Sequence, residues 1–197
     1  MDAVVLTVDQ DGSRRGPDQV PAALDALAGV PAVLTFERTV GDEFQGLLDD
    51  PAALAVALEL LLRSGEWNIG VGLGEVETPL PDHARAGRGP AYLRAREAVT
   101  TAKTSPWRVR VVGEGDGARA LESAIWLWAA LLSRRTPRGW EVSDLVDEGH
   151  TYEETAARLG ISQSAVSQRA AVAGIAEGRR ARELVEHLTR TALGGTR

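Results

Sequence analysis

The pattern of apolar and polar positions changes in type along this chain. Over the first 115 residues, short apolar runs rich in β-branched residues alternate with longer runs of helical spacing. The short runs predict strands at 3–8, 33–40, 43–48, 67–76 and 107–112. The longer runs predict helices at 21–29, 51–62 and 90–103, each with a proline near its start. This order predicts an α+β fold with a ferredoxin-like antiparallel sheet and one extra strand.

After residue 115 the spacing is helical throughout. A long helix over 116–134 is apolar on more than one face, so we expect it to pack on two different elements. Trp126 and Trp128 on it predict a connector or a dimer seam. A break at 136–139 precedes predicted helices at 141–148, 151–159, 163–173 and 177–193. The sequence thus divides into an α+β domain (1–115), a connecting helix (116–136) and an all-α domain (137–197).

The segment from Thr151 to Arg169 has the spacing of a helix-turn-helix. Thr151 and Glu154 predict a capping box, Gly160 a left-handed helix end, and Ser162 the cap of a second helix. The second helix then exposes polar side chains that reach base edges in a major groove. The candidate DNA-binding residues are Ser162, Gln163, Ser164, Ser167, Gln168 and Arg169, the last as a phosphate contact.

No basic hairpin wing follows this unit in the sequence. The predicted last helix begins with Arg179, Arg180 and Arg182, which are either phosphate contacts or a solvated face. Two other interpretations of the whole segment stay open. It could be a helical hairpin packed in a core, or a helix-turn-helix that binds protein or RNA.

Charge is distributed unevenly along the chain. The net charge is −6, yet from Arg134 onward 10 arginines face 9 acidic residues, which gives +1 for that end. Because this end is only weakly basic, we expect modest non-specific DNA affinity. A single helix-turn-helix seldom binds tightly alone, so we expect a homodimer reading two half-sites about one helical turn apart.

Composition excludes several other classes of protein. The chain has no cysteine, which excludes disulfides and thiolate sites, and its three histidines are far apart. No apolar run reaches the length of a membrane span, and no basic leader precedes the first apolar run. We therefore expect a cytoplasmic protein with no membrane partner.

Acidic residues stand at the ends of two predicted strands. Asp9 and Asp11 close the first strand, whereas Asp42 and Glu43 lie on the following hairpin. With a strand order such as 4-1-3-2, the first strand lies beside this hairpin and Asp9 meets Asp42. Neighbouring carboxylates repel unless a cation neutralises them, so Asp9, Asp42 and Glu43 are candidate Mg²⁺ ligands. The alternative is that Asp42 and Glu43 serve the turn and Asp9 caps a loop.

Alternating glycines mark the fourth predicted strand. Gly70, Gly72 and Gly74 imply close approach by another backbone or by a ligand. With this strand, the first part of the chain resembles the class III nucleotidyl cyclases and the GGDEF diguanylate cyclases. The resembling motifs are Asp9 with Gly12 and Ser13, the hairpin 40–44, the glycine strand 69–76, and the segment 89–96.

Over nearly its full length the chain resembles the SatD family more closely, with the hairpin 41–48 and the C-terminal segment 161–169 as further matching motifs. The resemblance implies a cyclase-like domain fused to a helix-turn-helix. It also implies a nucleotide site, with Mg²⁺ as its cofactor. The candidate nucleotide-binding residues are Asp11, Gly12, Ser13, Arg14, Gly41 and Arg94.

The chain departs from active cyclases at two positions of the helix after the glycine strand. Where those enzymes carry an asparagine and an arginine, this chain has Leu93 and Glu97. A leucine donates no hydrogen bond and a glutamate repels a phosphate. We therefore expect a transcription factor whose cyclase-like domain senses a nucleotide or drives dimerisation. The alternatives are a metal-dependent nucleotide-processing enzyme with a regulatory helix-turn-helix, and a protein-interaction adaptor.

Overall fold

The computed structural model describes residues 1–13 and 16–194. Its strands are β1 (Asp2–Gln10), β2 (Leu34–Arg38), β3 (Glu43–Leu48), β4 (Trp67–Glu75) and β5 (Val109–Val112). Its helices are α1 (Val20–Leu27), α2 (Pro51–Ser64), α3 (Pro90–Ala102), α4 (Gly115–Leu132), α5 (Pro137–Asp147), α6 (Tyr152–Leu159), α7 (Gln163–Val172) and α8 (Ile175–Gly194). None of the helices in these two ranges has both the length and the apolar character that a membrane crossing requires.

The five strands form one sheet in the order β2-β3-β1-β4-β5. β1 runs antiparallel to both β3 and β4, and β5 lies parallel to β4 at the edge. The predicted α+β class is confirmed, and β1 lies beside the β2–β3 hairpin as expected. That neighbourhood brings the end of β1 to the hairpin turn, because Gln10 N donates to Asp42 O at 3.2 Å. The sheet is mixed and not antiparallel throughout as predicted, because β5 pairs in parallel with β4.

Helices cover both faces of the sheet. Alternate side chains of a strand point to opposite faces, so Val4, Leu6 and Val8 enter a larger core with α1, α2, α4 and α8. Ala3 and Val5 enter a smaller core with α3. Burial of apolar side chains on both faces is the main source of stability for such a central strand.

The glycines of β4 serve helix packing. A Cβ atom placed on Gly72 would overlap the backbone of Ala91 and Ala95 in α3, and one on Gly70 would overlap Val99. Of the two explanations expected for this strand, a neighbouring backbone is the one that the structure shows. The glycines therefore let α3 lie directly on the sheet.

α4 and α8 connect the sheet to the helix-turn-helix. Trp128 of α4 is buried in the larger core, and Trp126 Nε1 donates to Val109 O at 2.9 Å. Both tryptophans are thus used within the chain, which favours the connector role and leaves the homodimer a prediction. In α8, Ile175 joins the helix-turn-helix core while Val185 joins the larger core. The division at residue 137 stays a prediction, since α8 contributes to both cores.

α5 begins four residues earlier than the sequence predicted. Thr136 caps it by accepting from Gly139 N at 3.2 Å, and Pro137 is its first residue. The expected break at 136–139 was wrong because these residues form an N-cap followed by a proline. At the first helical position a proline loses no hydrogen bond.

Candidate nucleic-acid interface

Local hydrogen bonds fix the ends of α6 and α7. Glu154 N donates to Thr151 Oγ1 at 3.2 Å, and Thr151 N donates to Glu154 Oε2 at 2.8 Å. The backbone and side-chain hydrogen bonds from Thr151 favour the charged carboxylate, so they lower the pKa of Glu154. Gly160 ends α6 with φ of 63°, and Ser162 caps α7 by accepting from Ala165 N at 3.2 Å. The predicted capping box, left-handed glycine and serine cap are confirmed.

A small apolar core holds α7 in place. It gathers buried side chains from α5, α6, α7 and the start of α8, with Leu159 and Ile161 packed at its edge. Its buried members are Val142, Val146, Ala156, Val166, Ala170, Ala173 and Ile175. Because Val166 and Ala170 point into this core, the opposite side of α7 faces solvent.

The exposed side of α7 carries short polar and small apolar side chains. The exposed residues are Ser162, Gln163, Ser164, Ser167, Gln168, Ala171 and Val172. Arg169 is half-buried at the edge of this side. The structure therefore places five of the six predicted DNA-binding residues on one surface and the sixth at its border. Their contacts with DNA stay a prediction.

Sequence reasoning did not assign Arg134, which lies next to α7. A groove of about 180 Å³ is lined by Arg134, Thr136, Gly139, Gln168, Arg169, Val172 and Ala173. Arg134 follows α4 and is far from Gln168 along the chain, so no local sequence pattern indicates that the two residues line one groove. The available signal was the cluster of Arg134, Arg135 and Arg138 around a helix start. Two arginines beside the exposed side of α7 suit contacts with phosphates.

The arginines near the start of α8 form ion pairs. Arg179 Nη2 donates to Val146 O at 2.9 Å and to Asp147 at 3.1 Å, which ties α8 to α5. Arg182 pairs with Glu59 of α2. Arg180 pairs within α8, with Glu183. Arg179 and Arg182 thus form ion pairs between helices, while Arg179 and Arg180 stay exposed to solvent. Phosphate contacts by these arginines stay a prediction.

A second candidate site lies at the end of β1. A pocket of about 430 Å³ is lined by Asp9, Gln10, Asp11, Gly12, Ser13, Asp42, Asn68 and Lys103. It brings together five of the residues predicted for metal or nucleotide binding, namely Asp9, Asp11, Gly12, Ser13 and Asp42. The antiparallel pairing of β1 with β3 and β4 causes this, because Asp9 lies opposite Glu43 on one side and Asn68 on the other.

The charges in this pocket are already partly matched. Asp9 Oδ2 lies 3.0 Å from Lys103 Nζ and accepts from Asn68 Nδ2 at 3.1 Å. Asp11 pairs with Arg108, and the pair is half-exposed. Glu43 accepts from Thr39 Oγ1 at 2.7 Å and does not line the pocket.

These contacts bear on the expected Mg²⁺. A divalent cation in such a site takes several oxygen ligands, including carboxylates. Within residues 1–13 and 16–194, no three acidic, histidine or cysteine side chains gather as a metal site. Lys103 also neutralises Asp9 directly. The residues present therefore fit Mg²⁺ poorly, and the set of Asp9, Asp42 and Glu43 stays a prediction.

Of the remaining predicted nucleotide-binding residues, the structure describes Arg94 and Gly41, and neither lines this pocket. Arg94 was wrongly expected in the same pocket: it donates to Leu73 O at 2.7 Å and to Glu114 at 2.5 Å. Leu73 pairs with Val4, so Arg94 lies near the opposite end of β1 from Asp9. Gly41 forms the hairpin turn with φ of 63°. Arg14 lies outside the described residues.

Two pocket residues escaped the sequence reasoning. Asn68 is 2% exposed, and its Oδ1 has no hydrogen-bond partner in the described part of the chain. Such a buried acceptor is costly unless something donates to it. Asn68 could have been found as a polar residue within an otherwise apolar strand. Lys103 could have been found as the only lysine of the chain.

Known proteins resemble the C-terminal part of this chain. Residues 132–173 match the family model described as Sigma-70, region 4. This part of the chain, which contains the helix-turn-helix, is therefore similar to Sigma-70 region 4. This match covers the end of α4 through α7, and it supports a DNA-binding regulator. It covers only a minor part of the chain, so the resemblance of the whole to the SatD family and to the cyclases stays a prediction.

A solved structure has a weak overall similarity to this chain. The crystal structure of a regulator of polyketide synthase expression from Bifidobacterium adolescentis is 14% identical in sequence. The similarity covers 97% of this chain and 82% of that chain, with a TM-score of 0.28. No curated protein matches this chain by sequence.

Proposed function

We propose that this protein is a sequence-specific DNA-binding transcriptional regulator that acts as a homodimer. The observation that carries the proposal is the exposed side of α7 within a Sigma-70 region 4 helix-turn-helix. The cap at Ser162 and a small apolar core, which is shared with α6 and its cap at Thr151, hold this helix in place. A rigid helix with exposed amides and hydroxyls fits the major groove, where each base pair presents a distinct hydrogen-bond pattern.

The α+β domain is proposed to be cyclase-like and without cyclase activity. Support comes from the order of its first four strands, 4-1-3-2, and from α1 and α2 on the same face of the sheet. Leu93 and Glu97 are both exposed on α3, at the positions where the resemblance predicts transition-state groups. We assign this domain a role in sensing or in dimerisation.

The pocket at the end of β1 is proposed to bind a nucleotide through its base. Asn68 Oδ1 and the Asp42 carboxylate offer hydrogen-bond acceptors, and an amino group of a base supplies the donors that they require. Calorimetric titration with ATP and GTP, without metal and with Mg²⁺, tests this. We expect heat of binding in the wild type and none in Asn68→Leu. Equal binding by both proteins would overturn it.

A nucleotide-processing enzyme is the second candidate function, and the same orphaned Asn68 acceptor favours it. An enzyme differs from a sensor in that it forms a product from the nucleotide. If ATP or GTP is turned over with Mg²⁺ or Mn²⁺ and Asp42→Ala abolishes the turnover, the enzyme replaces the sensor in this proposal.

Selection of genomic DNA fragments by the purified protein tests the main function. We expect retention of a defined sequence, and a loss of affinity of about tenfold or more in Gln163→Ala/Gln168→Ala, since each bidentate base contact contributes about 1–3 kcal/mol. Thr100→Ala/Ser123→Ala is the matched control, because both residues are exposed on helices away from α7. Failure of the wild type to retain any fragment at low salt would contradict the proposal.

A further inference from the structure

We infer that α7 reads a half-site rich in A·T pairs, with Gln163 and Gln168 on adenine and Val172 on the methyl group of thymine. This inference rests on the proposed DNA-binding function and specifies which bases are recognised.

The first argument is the chemistry of the exposed side of α7. Guanine is read most often by arginine or lysine, and cytosine by a carboxylate, whereas glutamine pairs with adenine N6 and N7. All residues of α7 are described, and its exposed ones carry amide, hydroxyl or methyl groups only. Its single charged residue, Arg169, is half-buried in the groove beside Arg134, where it is placed for a phosphate. The helix thus exposes groups suited to A·T pairs and lacks carboxylates for cytosine.

The second argument is the arrangement of these side chains. At 3.6 residues per turn, Ser164, Ser167 and Ala171 lie along the middle of the exposed side. Gln163 and Gln168 flank these small residues: Gln163 lies next to the buried side of the helix, and Gln168 lies opposite Val166 and Ala170. Small residues in the middle let the helix axis come close to the base edges. The longer amides of Gln163 and Gln168, one on each side of the small residues, then reach different bases.

The third argument is Val172. Its side chain is 79% exposed, so it adds little to the apolar core below α7. It follows Gln168 by one helical turn and lines the same groove. The thymine C5-methyl is the apolar group that a major groove presents. An exposed valine beside a glutamine therefore matches a thymine next to an adenine.

Base analogues in the selected operator test the inference one atom group at a time. Replacing a thymine by uracil removes only its methyl group, and 7-deaza-adenine removes only N7. We expect the critical uracil substitution to weaken wild-type binding about fourfold, the worth of one buried methyl. The critical 7-deaza-adenine should weaken it by about fivefold. Val172→Ala should be insensitive to that uracil, and Gln168→Ala to that 7-deaza-adenine.

The outcomes separate this inference from the function on which it rests. If no genomic fragment is retained, the proposed function itself fails. If fragments are retained but the selected sequence is rich in G·C pairs, or if neither analogue changes affinity, only the base assignment is overturned. Thermal melting of Val172→Ala and Gln168→Ala verifies that both variants fold. We expect wild-type melting temperatures because both residues are exposed. The methyl contact is disproved if Val172→Ala binds the operator more weakly than the wild type but loses as much affinity as the wild type at every thymine-to-uracil substitution.

Discussion

Arg135 and Ala173 are joined by a hydrogen bond of 3.0 Å, from Nε of the buried guanidinium to the carbonyl oxygen at the end of α7. The same guanidinium donates through Nη1 to Ser143 Oγ at 3.1 Å and to Glu59 Oε1 at 3.4 Å. Burial lowers the pKa of Arg135, and the nearby Glu59 carboxylate opposes that effect. One side chain therefore links the end of α7 to α2 of the α+β domain.

Replacing Arg135 should destabilise the whole chain. Arg135→Met removes the donor to Ala173 and leaves Glu59, which is mostly buried, with Arg182 as its remaining partner. Removing one partner of a buried ion pair lowers the free energy of unfolding by about 3 kcal/mol. Urea unfolding measures this loss in the free energy of unfolding. Arg135→Lys keeps the positive charge without the planar guanidinium, so it should lose less stability than Arg135→Met. A methionine variant as stable as the wild type would disprove the role of this pair.

Gly160 should tolerate asparagine better than alanine. Its φ of 63° is a left-handed conformation, which costs a residue with a Cβ atom about 1–2 kcal/mol. Asparagine adopts this conformation more readily. Nothing would meet a new Cβ here within 4 Å, so the effect is one of backbone conformation alone. Thermal melting should rank wild type, then Gly160→Asn, then Gly160→Ala, and equal melting of the two variants would contradict the conformational explanation.

The capping box should make the helix-turn-helix sensitive to acid. Because the folded-state pKa of Glu154 is lowered, its charge stabilises the fold above its unfolded pKa. That stabilisation is lost as the pH falls through the folded pKa. We expect the melting temperature of the wild type to fall more between neutral pH and about pH 3 than that of Glu154→Gln, which does not titrate. If the melting temperatures of the two proteins fall equally with pH, the Glu154 carboxylate does not stabilise the fold.

Gly72→Ala should strongly disturb the packing of α3 on the sheet. The new methyl group would overlap the backbone of Ala91 and Ala95, and backbone cannot move aside as a flexible side chain does. Overpacking of this kind costs about 1–3 kcal/mol or more. Gly29→Ala is the control, because nothing lies within 4 Å of its Cβ position. Chemical denaturation should separate the two variants, and equal stability would argue against the close approach.

The sequence by itself determined the helix-turn-helix. Its signals are local: Thr151 with Glu154, Gly160, and Ser162 act within one turn of the chain, so their meaning does not depend on distant residues. The strands and helices of the first domain were predicted for the same reason, since apolar period and prolines act locally. The start of α5 was misjudged by four residues, because Thr136 and Pro137 begin a helix instead of interrupting one.

Tertiary structure alone decided which distant residues meet. Strand order brings Asn68 and Lys103 to Asp9 and takes Arg94 to the other end of the sheet. Helix packing brings Arg134 to the groove of α7 and buries Arg135 against Glu59. Such contacts join residues far apart in the chain, and no local pattern encodes them, because they follow from the burial of whole helix and strand faces.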